Sequence, residues 1–296
     1  MTCIVKRLTD KQLISPPKYV TSGIQYETMM GSVAYGVSSD TSDVDIYGFC
    51  IPNKDMIFPH LKGEILGFGK QTQRYEQYQI HHVKDEDAKK EYDITIYSIV
   101  KYFQLCMENN PNMIDSLFTP RRCVLFTTKI GELVRENRKE FLHKGSFHKF
   151  KSYAYSQLHK IKTKNPIGKR KDIITEFGYD VKFAYHLVRL LNECEQILTE
   201  HDIDLERNRE QLKAIRRGEY SEEQIENYFY TKEKELETLY NTSTLRYGPD
   251  ETKIKNLLLR CLEEHFGSID NCIVNTSHVN LINDIDEVLN KYRSIR

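Results

Sequence analysis

The chain has 296 residues, which is enough for two folded parts and a sizeable hydrophobic core. Its 43 basic and 43 acidic side chains cancel, so any argument for a nucleic-acid partner must rest on local charge. No stretch approaches the roughly 18 consecutive apolar residues of a membrane span, and the N-terminal segment lacks the layout of a secretory signal. We therefore expect a cytoplasmic protein with no membrane contact.

Seven cysteines are scattered along the chain, and none forms a CxxC pair. An odd number without paired spacing is typical of reduced thiols, and it predicts neither a disulfide framework nor a zinc site. Ligand chemistry must therefore be sought in oxygen and nitrogen side chains.

The first half of the chain mixes strand and helix patterns. Stretches rich in aromatic and β-branched residues, bounded by Gly or Pro, predict strands at 24–31, 43–51, 74–83 and 91–98. Helical spacing follows at 98–110, where Asn-Asn-Pro ends it, and again at 127–144. This alternation predicts a mixed α/β part in the first 140 residues.

The second half is predominantly helical. A long helical pattern covers 174–200, Gly218 breaks the next one, and Ser221 and Gln224 have the spacing of a capping box. Further helical patterns cover 251–267 and 281–292. The fold class we predict is therefore α+β, with a mixed-sheet domain at residues 1–140 followed by an α-helical domain at 141–296.

A basic segment lies between Lys139 and Lys171. It contains ten Lys or Arg and three His residues, with five aromatic residues among them. Such a segment suits a ligand with phosphates and bases. The alternative is a solvated helix face whose aromatic residues point into the core, and the sequence leaves both interpretations open.

The stretch "MMGSVAYGVSSDTSDVDIYGFC", from Met29 to Cys50, carries the main chemical signal. On a strand, Asp43 and Asp45 project from one face with Cα atoms about 6.5–7 Å apart. Adjacent carboxylates repel each other unless a cation lies between them, and Mg²⁺ prefers such oxygen ligands. The pair therefore predicts a metal site, which can hold two ions in enzymes that transfer phosphoryl groups. The alternative is that both aspartates lie on a solvated strand edge.

Gly31 and Ser32 precede this strand. Gly allows the backbone to approach a phosphate, Ser adds a hydroxyl donor, and "VAYGV" after them predicts a short helix whose N-terminus favours an anion. A third carboxylate is offered by "EYDITIYS", in which Asp93 shares a strand face with Thr95 and Tyr97. Asp93 could bind a metal and accept a proton from an attacking hydroxyl. The rivals to Asp93 are Asp85, Glu86 and Asp87, in a charged run.

A polar stripe follows one face of the "GYDVKFAYHLVRLL" helix. At about 100° per residue, four residues of the stripe lie within roughly 80° of one another around the helix axis, namely Tyr179, Lys182, His186 and Arg189. These side chains either face a triphosphate across a cleft or form a solvent face, and Asp180 is placed to cap the helix. We assign no metal-binding role to His81, His82, His143 or His148.

These motifs resemble the signature of the DNA polymerase β-type nucleotidyltransferases, through "GSVAYGVSSDTSDVDIYG". "YDITIYSIVKYFQLCMENNPNMIDSLF" and "FGYDVKFAYHLVRLL" resemble later blocks of a branch associated with RNA ligases and proposed to act in RNA repair. The resemblance spans roughly residues 24 to 192. It implies a small palm-like mixed sheet flanked by helices, with a helical domain that closes the nucleotide cleft.

The resemblance implies a role for each motif. The metal-binding and catalytic carboxylates would be Asp43, Asp45 and Asp93. The nucleotide-binding residues would be Gly31, Ser32, Ser42, Tyr179, Lys182, His186 and Arg189. An enzyme of this kind uses two Mg²⁺ or Mn²⁺ ions and moves NMP from an NTP to a hydroxyl.

The acceptor that we expect is an RNA 3′ end, docked through the basic segment 139–171. Two alternatives remain open. One is transfer of NMP to a protein or a small molecule, and the other is an inactive RNA-binding scaffold that has kept the fold.

Overall fold

The computed structural model describes residues 3–38, 43–69, 71, 74–163 and 168–268, together with 270, 285 and 288–289. Within them the chain forms one five-stranded sheet in the order β3-β4-β2-β1-β5. The strands are β1 Ile24–Met29, β2 Val44–Cys50, β3 Gln77–Asp85, β4 Lys90–Ser98 and β5 Val124–Thr127. β2 and β4 are parallel and the other pairs are antiparallel, which confirms the predicted mixed sheet.

One face of the sheet is covered by the N-terminal segment. This segment forms helices α1 (Ile4–Asp10) and α2 (Lys18–Gly23). A small core lies between them and the sheet, and it contains Val44 and Ile46 of β2 with Ile94 and Ile96 of β4. Because side chains alternate along a strand, the neighbours of these residues, Asp45 and Asp93 among them, face the opposite side.

The opposite side of the sheet faces the remaining helices. These are α3 Lys54–Ile57, α4 Ile99–Met107, α5 Pro111–Phe118, α6 Lys129–Glu136, α7 Ser146–Thr163, α8 Lys169–Phe177, α9 Val181–Glu200, α10 Arg209–Arg216, α11 Glu222–Thr242 and α12 Glu251–Phe266. One hydrophobic core runs from Tyr26 of β1 to Leu262 of α12, and α12 packs against α4 and α6. Because this core joins both halves of the chain, the division at residue 140 stays a prediction.

Glycines set two of the helix boundaries. The pattern predicted as one helix over 174–200 is divided into α8 and α9, because Gly178 adopts a left-handed φ of 84°. The Asp180 side chain then accepts hydrogen bonds from the Lys182 and Phe183 N–H groups, so it caps α9 as predicted. Gly218 also has a positive φ, and the capping box of Ser221 and Gln224 is confirmed at the start of α11.

Other sequence predictions have mixed outcomes. Strand β5 was not predicted, since it has only four residues and follows a 3₁₀ turn at Arg121–Cys123. The helix predicted at 281–292 lies outside the continuously described residues.

The six cysteines described are buried and free. Among the described helices, none has the length and apolar character needed to cross a bilayer.

Candidate active site

Two aspartates meet at the centre of the sheet. Asp45 of β2 and Asp93 of β4 are directly opposite each other in the parallel ladder. Neighbouring strands lie about 4.8 Å apart, so the two carboxylates project side by side from the same face. Thr95 and Tyr97 follow Asp93 on that face, as strand parity predicts, while Tyr92 and Ile94 pack in the core on the other side.

The segment 30–38 follows β1 and is called the Gly31 loop here. At Gly31 it lies directly against Asp45. Gly31 has a φ of 65°, and a Cβ atom at this position would lie 2.3 Å from Asp45 Oδ2. Only glycine therefore allows the loop and the carboxylate to approach so closely. The structure corrects the predicted helix in "VAYGV": it has a single 3₁₀ turn at Gly31–Val33. The loop therefore offers no α-helix dipole to an anion, and the nucleotide-binding role of Gly31 and Ser32 stays a prediction. Ser42 lies outside the described residues.

The charges around Asp45 are unbalanced. Burial, together with the carboxylates of Asp93 and Asp43, raises the pKa of Asp45 to about 6, although Lys182 and His81 act in the opposite direction. Asp43 itself is exposed, immediately before β2. This face of the sheet thus concentrates negative charge in a half-buried position, which favours binding of a cation.

Helix α9 brings two of its predicted stripe residues to this face. Lys182 is exposed and close enough to lower the pKa of Asp45. One turn on, His186 is half-buried, with its ring centroid 4.1 Å from that of Tyr185. Burial lowers the pKa of His186 well below its usual range, as do Arg189, Lys182, Arg170 and Arg216. His186 is therefore a neutral imidazole surrounded by cations.

The other two stripe residues are in a different environment from the predicted one. Arg189 is 3% exposed and lies in a buried cluster, where its guanidinium binds Asp115 and donates to Glu193 Oε2 at 2.9 Å. Tyr179 is buried, and its hydroxyl donates to the Tyr220 carbonyl at 2.7 Å. The stripe prediction needs correction at these two positions, because neighbouring helices cover that part of the face.

The buried cluster also reaches the Gly31 loop. The Tyr35 hydroxyl donates to Asp115 Oδ2 at 2.8 Å, and the Arg189 guanidinium lies 4.3 Å from the centre of the Tyr35 ring. Burial raises the pKa of both Asp115 and Glu193, while the Arg189 guanidinium acts in the opposite direction on both. The cluster therefore connects the loop to α5 and α9.

Two arginines that the sequence did not single out hold the same loop from outside. Arg216 of α10 donates to the Val37 carbonyl, and its guanidinium lies 5.4 Å from the centre of the Tyr185 ring. Arg122 donates to the Val33 carbonyl at 3.1 Å and pairs with Glu206. Their distance from the loop along the chain explains why no sequence pattern indicated them.

Most of the chain matches a known protein family. The model for the RNA repair pathway DNA polymerase beta family matches residues 8–260. The chain belongs to this family. It is accordingly a nucleotidyltransferase of the DNA polymerase β type, as the sequence motifs indicated.

Other comparisons add little. No curated protein matches the chain. A solved nucleotidyltransferase-like protein from Exiguobacterium sibiricum 255-15 is similar over 88% of this chain and 79% of its own, with 10% sequence identity and a TM-score of 0.29. That likeness is too weak to carry an argument about the family member described here.

The basic segment 139–171 of this nucleotidyltransferase is less available than its sequence suggests. Phe141, Phe147 and Phe150 are buried in the core. Several of its lysines pair with acids of other elements, namely Lys139 with Asp202, Lys149 with Glu108, Lys151 with Glu233 and Lys162 with Glu226. The core-facing interpretation therefore applies to these aromatics, and the role of the segment in docking RNA stays a prediction.

Asp45 and Asp93 have the oxygen ligands that Mg²⁺ or Mn²⁺ prefers. Within the ranges that the structure describes, no group of three or more His, Cys, Asp or Glu is already arranged around a metal position. Mg²⁺, however, is usually held by one or two carboxylates, with substrate phosphates and waters completing its shell. The in-register pair Asp45 and Asp93 meets that requirement, and the raised pKa of Asp45 reflects burial first and then repulsion from Asp93, which a cation would relieve.

Proposed function

We propose that the protein transfers the NMP group of an NTP to the 3′ hydroxyl of an RNA and releases pyrophosphate. The observation that carries the proposal is the in-register pair Asp45 and Asp93, bordered by the Gly31 loop and facing Lys182. Carboxylates for a cation and a hydroxyl, a close backbone turn and a facing lysine are the groups that phosphoryl transfer requires.

The proposed reaction breaks two bonds and forms one between the acceptor and the nucleotide. The acceptor O–H bond breaks and its proton passes to the Asp93 carboxylate. The freed oxygen forms a bond to the α-phosphorus of the NTP. The bond from that phosphorus to the oxygen bridging to the β-phosphate breaks, and its electrons leave with pyrophosphate. Asp93 then returns the proton to solvent.

A divalent cation would be bound by Asp45 and Asp93, with Asp43 at the edge of the strand. It would supply the positive charge that holds the triphosphate and stabilises the oxygens of the displacement. Gly31 keeps the loop close to Asp45, so the Ser32 hydroxyl can meet the phosphates of the same nucleotide.

The departing pyrophosphate needs positive charge on the opposite wall. Lys182 is exposed and forms no ion pair with any residue that the structure describes. Arg216 lies beside Tyr185 and is close enough to His186 to lower its pKa. A neutral His186 can donate a hydrogen bond to phosphate without adding charge. Together these three residues form the proposed phosphate wall.

The choice of RNA as acceptor is supported by the family description. It is tested by incubating the full chain with each NTP, labelled at the α-phosphate, with Mg²⁺ and a mixture of RNA, DNA and protein acceptors. We expect label on RNA together with released pyrophosphate. Label on protein alone would exclude the RNA acceptor, and absence of both label and pyrophosphate would exclude the proposed reaction.

A further inference from the structure

The pairing of strand β3 with β4 is irregular where β3 passes Asp93, the proposed base. Ile80 pairs with Ile94 and Val83 pairs with Tyr92, so His81 and His82 together lie opposite the single residue Asp93. Two residues facing one define a β-bulge, which adds twist and redirects side chains. Bulges of this kind occur at sheet edges and beside active sites, and β3 is the edge strand of this sheet.

The bulge is maintained at a conformational cost. His82 adopts a left-handed φ of 56°, which is unusual for a residue with a side chain. Glycine would adopt this conformation without strain. The contacts around the bulge must therefore stabilise it, and the strongest of them involve Asp93 and Glu91.

Both oxygens of Asp93 are contacted by this bulge. The His82 backbone N–H donates to Asp93 Oδ1 at 2.8 Å, and His81 Nδ1 lies 3.4 Å from Asp93 Oδ2. His82 Nδ1 contacts Glu91 Oε1 at 2.6 Å, while the other ring nitrogen of His81 contacts the Gln79 side chain at 2.9 Å. Two successive residues of an edge strand are thus fixed around one carboxylate.

We propose that the His81–His82 bulge is a positioning device for Asp93 in the transfer reaction. It sets the rotation of the Asp93 carboxylate, so that a lone pair of Oδ2 points into the site and toward the acceptor hydroxyl. A carboxylate oxygen has two lone pairs, so each Asp93 oxygen keeps one after these contacts. The inference rests on the proposed function, in which Asp93 accepts the proton of the attacking hydroxyl.

Positioning of this type affects turnover more than binding. The triphosphate is held by other groups, namely the Gly31 loop, Lys182 and Arg216, so loss of the bulge should leave the KM for NTP unchanged. Turnover should fall, because a misdirected base no longer meets the acceptor hydroxyl, and misplacement by about 1 Å can cost about 100-fold.

The test compares variants of the full chain in the α-labelled NTP and RNA assay. For His81→Ala we expect kcat to fall about 10-fold, and for deletion of His82, which removes the bulge, about 100-fold. The KM for NTP should change by less than about twofold in both. His81→Asn places an amide N–H where Nδ1 lies, so it should recover most of the kcat. His60→Asn, at an exposed position of the 3₁₀ turn Pro59–Lys62, is the matched control and should behave as wild type.

Three results would overturn the inference. One is wild-type kcat in His81→Ala, the second is a fall in kcat that His81→Asn does not recover, and the third is a loss expressed in the KM for NTP. Asp93→Asn separates this inference from the proposed function. If Asp93→Asn is inactive while His81→Ala is fully active, only the positioning role fails; if Asp93→Asn is fully active, Asp93 is not the base.

Discussion

Helix α9 carries two cations in opposite situations. Near its start, Lys182 is exposed and close enough to Asp45 to lower the pKa of that carboxyl. Two turns later, Arg189 is buried and bound to Asp115 and Glu193. The same helix face therefore offers one cation to a ligand and commits another to the fold.

The environments of Lys182 and Arg189 differ in how much of each side chain is covered by the protein. A buried charge is tolerated only when it is paired and hydrogen-bonded, so Arg189 requires its carboxylates. At the start of the helix Lys182 is exposed to solvent, where a charge is stable without a protein partner. Charges without a protein partner are the ones available for substrate, and the following predictions test this division.

The largest expected effect is on stability. Arg189→Met leaves Asp115 without its cation in a buried site, and it should reduce the free energy of unfolding by about 3–5 kcal/mol. The exposed pair of Arg207 and Glu200 provides the control, and Arg207→Met should cost less than about 1 kcal/mol. Urea denaturation followed by circular dichroism measures both. Equal losses for the two variants would contradict the distinction between them.

The second prediction concerns the loop at Asp45. Gly31→Ala introduces a Cβ within 2.3 Å of Asp45 Oδ2, and it strains a positive φ. Displacing the carboxylate by about 1 Å should reduce kcat about 100-fold. Gly63→Ala carries a similar φ strain with no atom in the way of the Cβ, so it should leave kcat unchanged. If both variants were equally active, close approach to Asp45 would not matter for the reaction.

The third prediction concerns the open end of α9. Lys182→Ala should raise the KM for NTP about tenfold, because a charge-assisted hydrogen bond to phosphate contributes about 1.5–3 kcal/mol. Its melting temperature should match that of the wild-type protein. Lys234→Ala, on an exposed position of α11, serves as control for loss of a surface charge. Unfolding of Lys182→Ala would show that this end of α9 is structural as well.

The smallest effect is expected at the cap of α9. Asp180→Ala removes the hydrogen bonds to the Lys182 and Phe183 N–H groups and the ion pair with Arg170, and the free energy of unfolding should fall by about 1–2 kcal/mol. Asp172→Ala, an exposed acid in the first turn of α8, should cost less than about 0.5 kcal/mol. Thermal melts of the two variants provide the measurement. A larger loss in Asp172→Ala would contradict the capping role of Asp180.

Local patterns explain what the sequence could predict. Alternation along a strand placed Asp45 on the face away from Val44 and Ile46, and the same rule gave the faces of β4. The spacing of apolar residues and caps located most helices. These features depend only on neighbours within a few residues, which is why they could be read from the chain.

Features that depend on distant contacts were not predictable. The pairing of β2 with β4, which brings Asp93 to Asp45, is a nonlocal choice. The burial of Arg189 depends on Asp115, which belongs to another helix. The bulge at His81 and His82 has no local signal, because neither residue is a glycine. Whether these residues carry out the chemistry stays a prediction.

The central claim is that the carboxylates at β2 and β4 direct attack on the α-phosphate of an NTP. The most direct test supplies RNA with NTP carrying one label at the α-phosphate and a different label at the γ-phosphate. We predict that the α-label joins the RNA 3′ end while the γ-label leaves in pyrophosphate, and that Asp45→Asn abolishes both without changing the melting temperature. Transfer of the γ-label to RNA, or undiminished transfer by Asp45→Asn, would contradict the account.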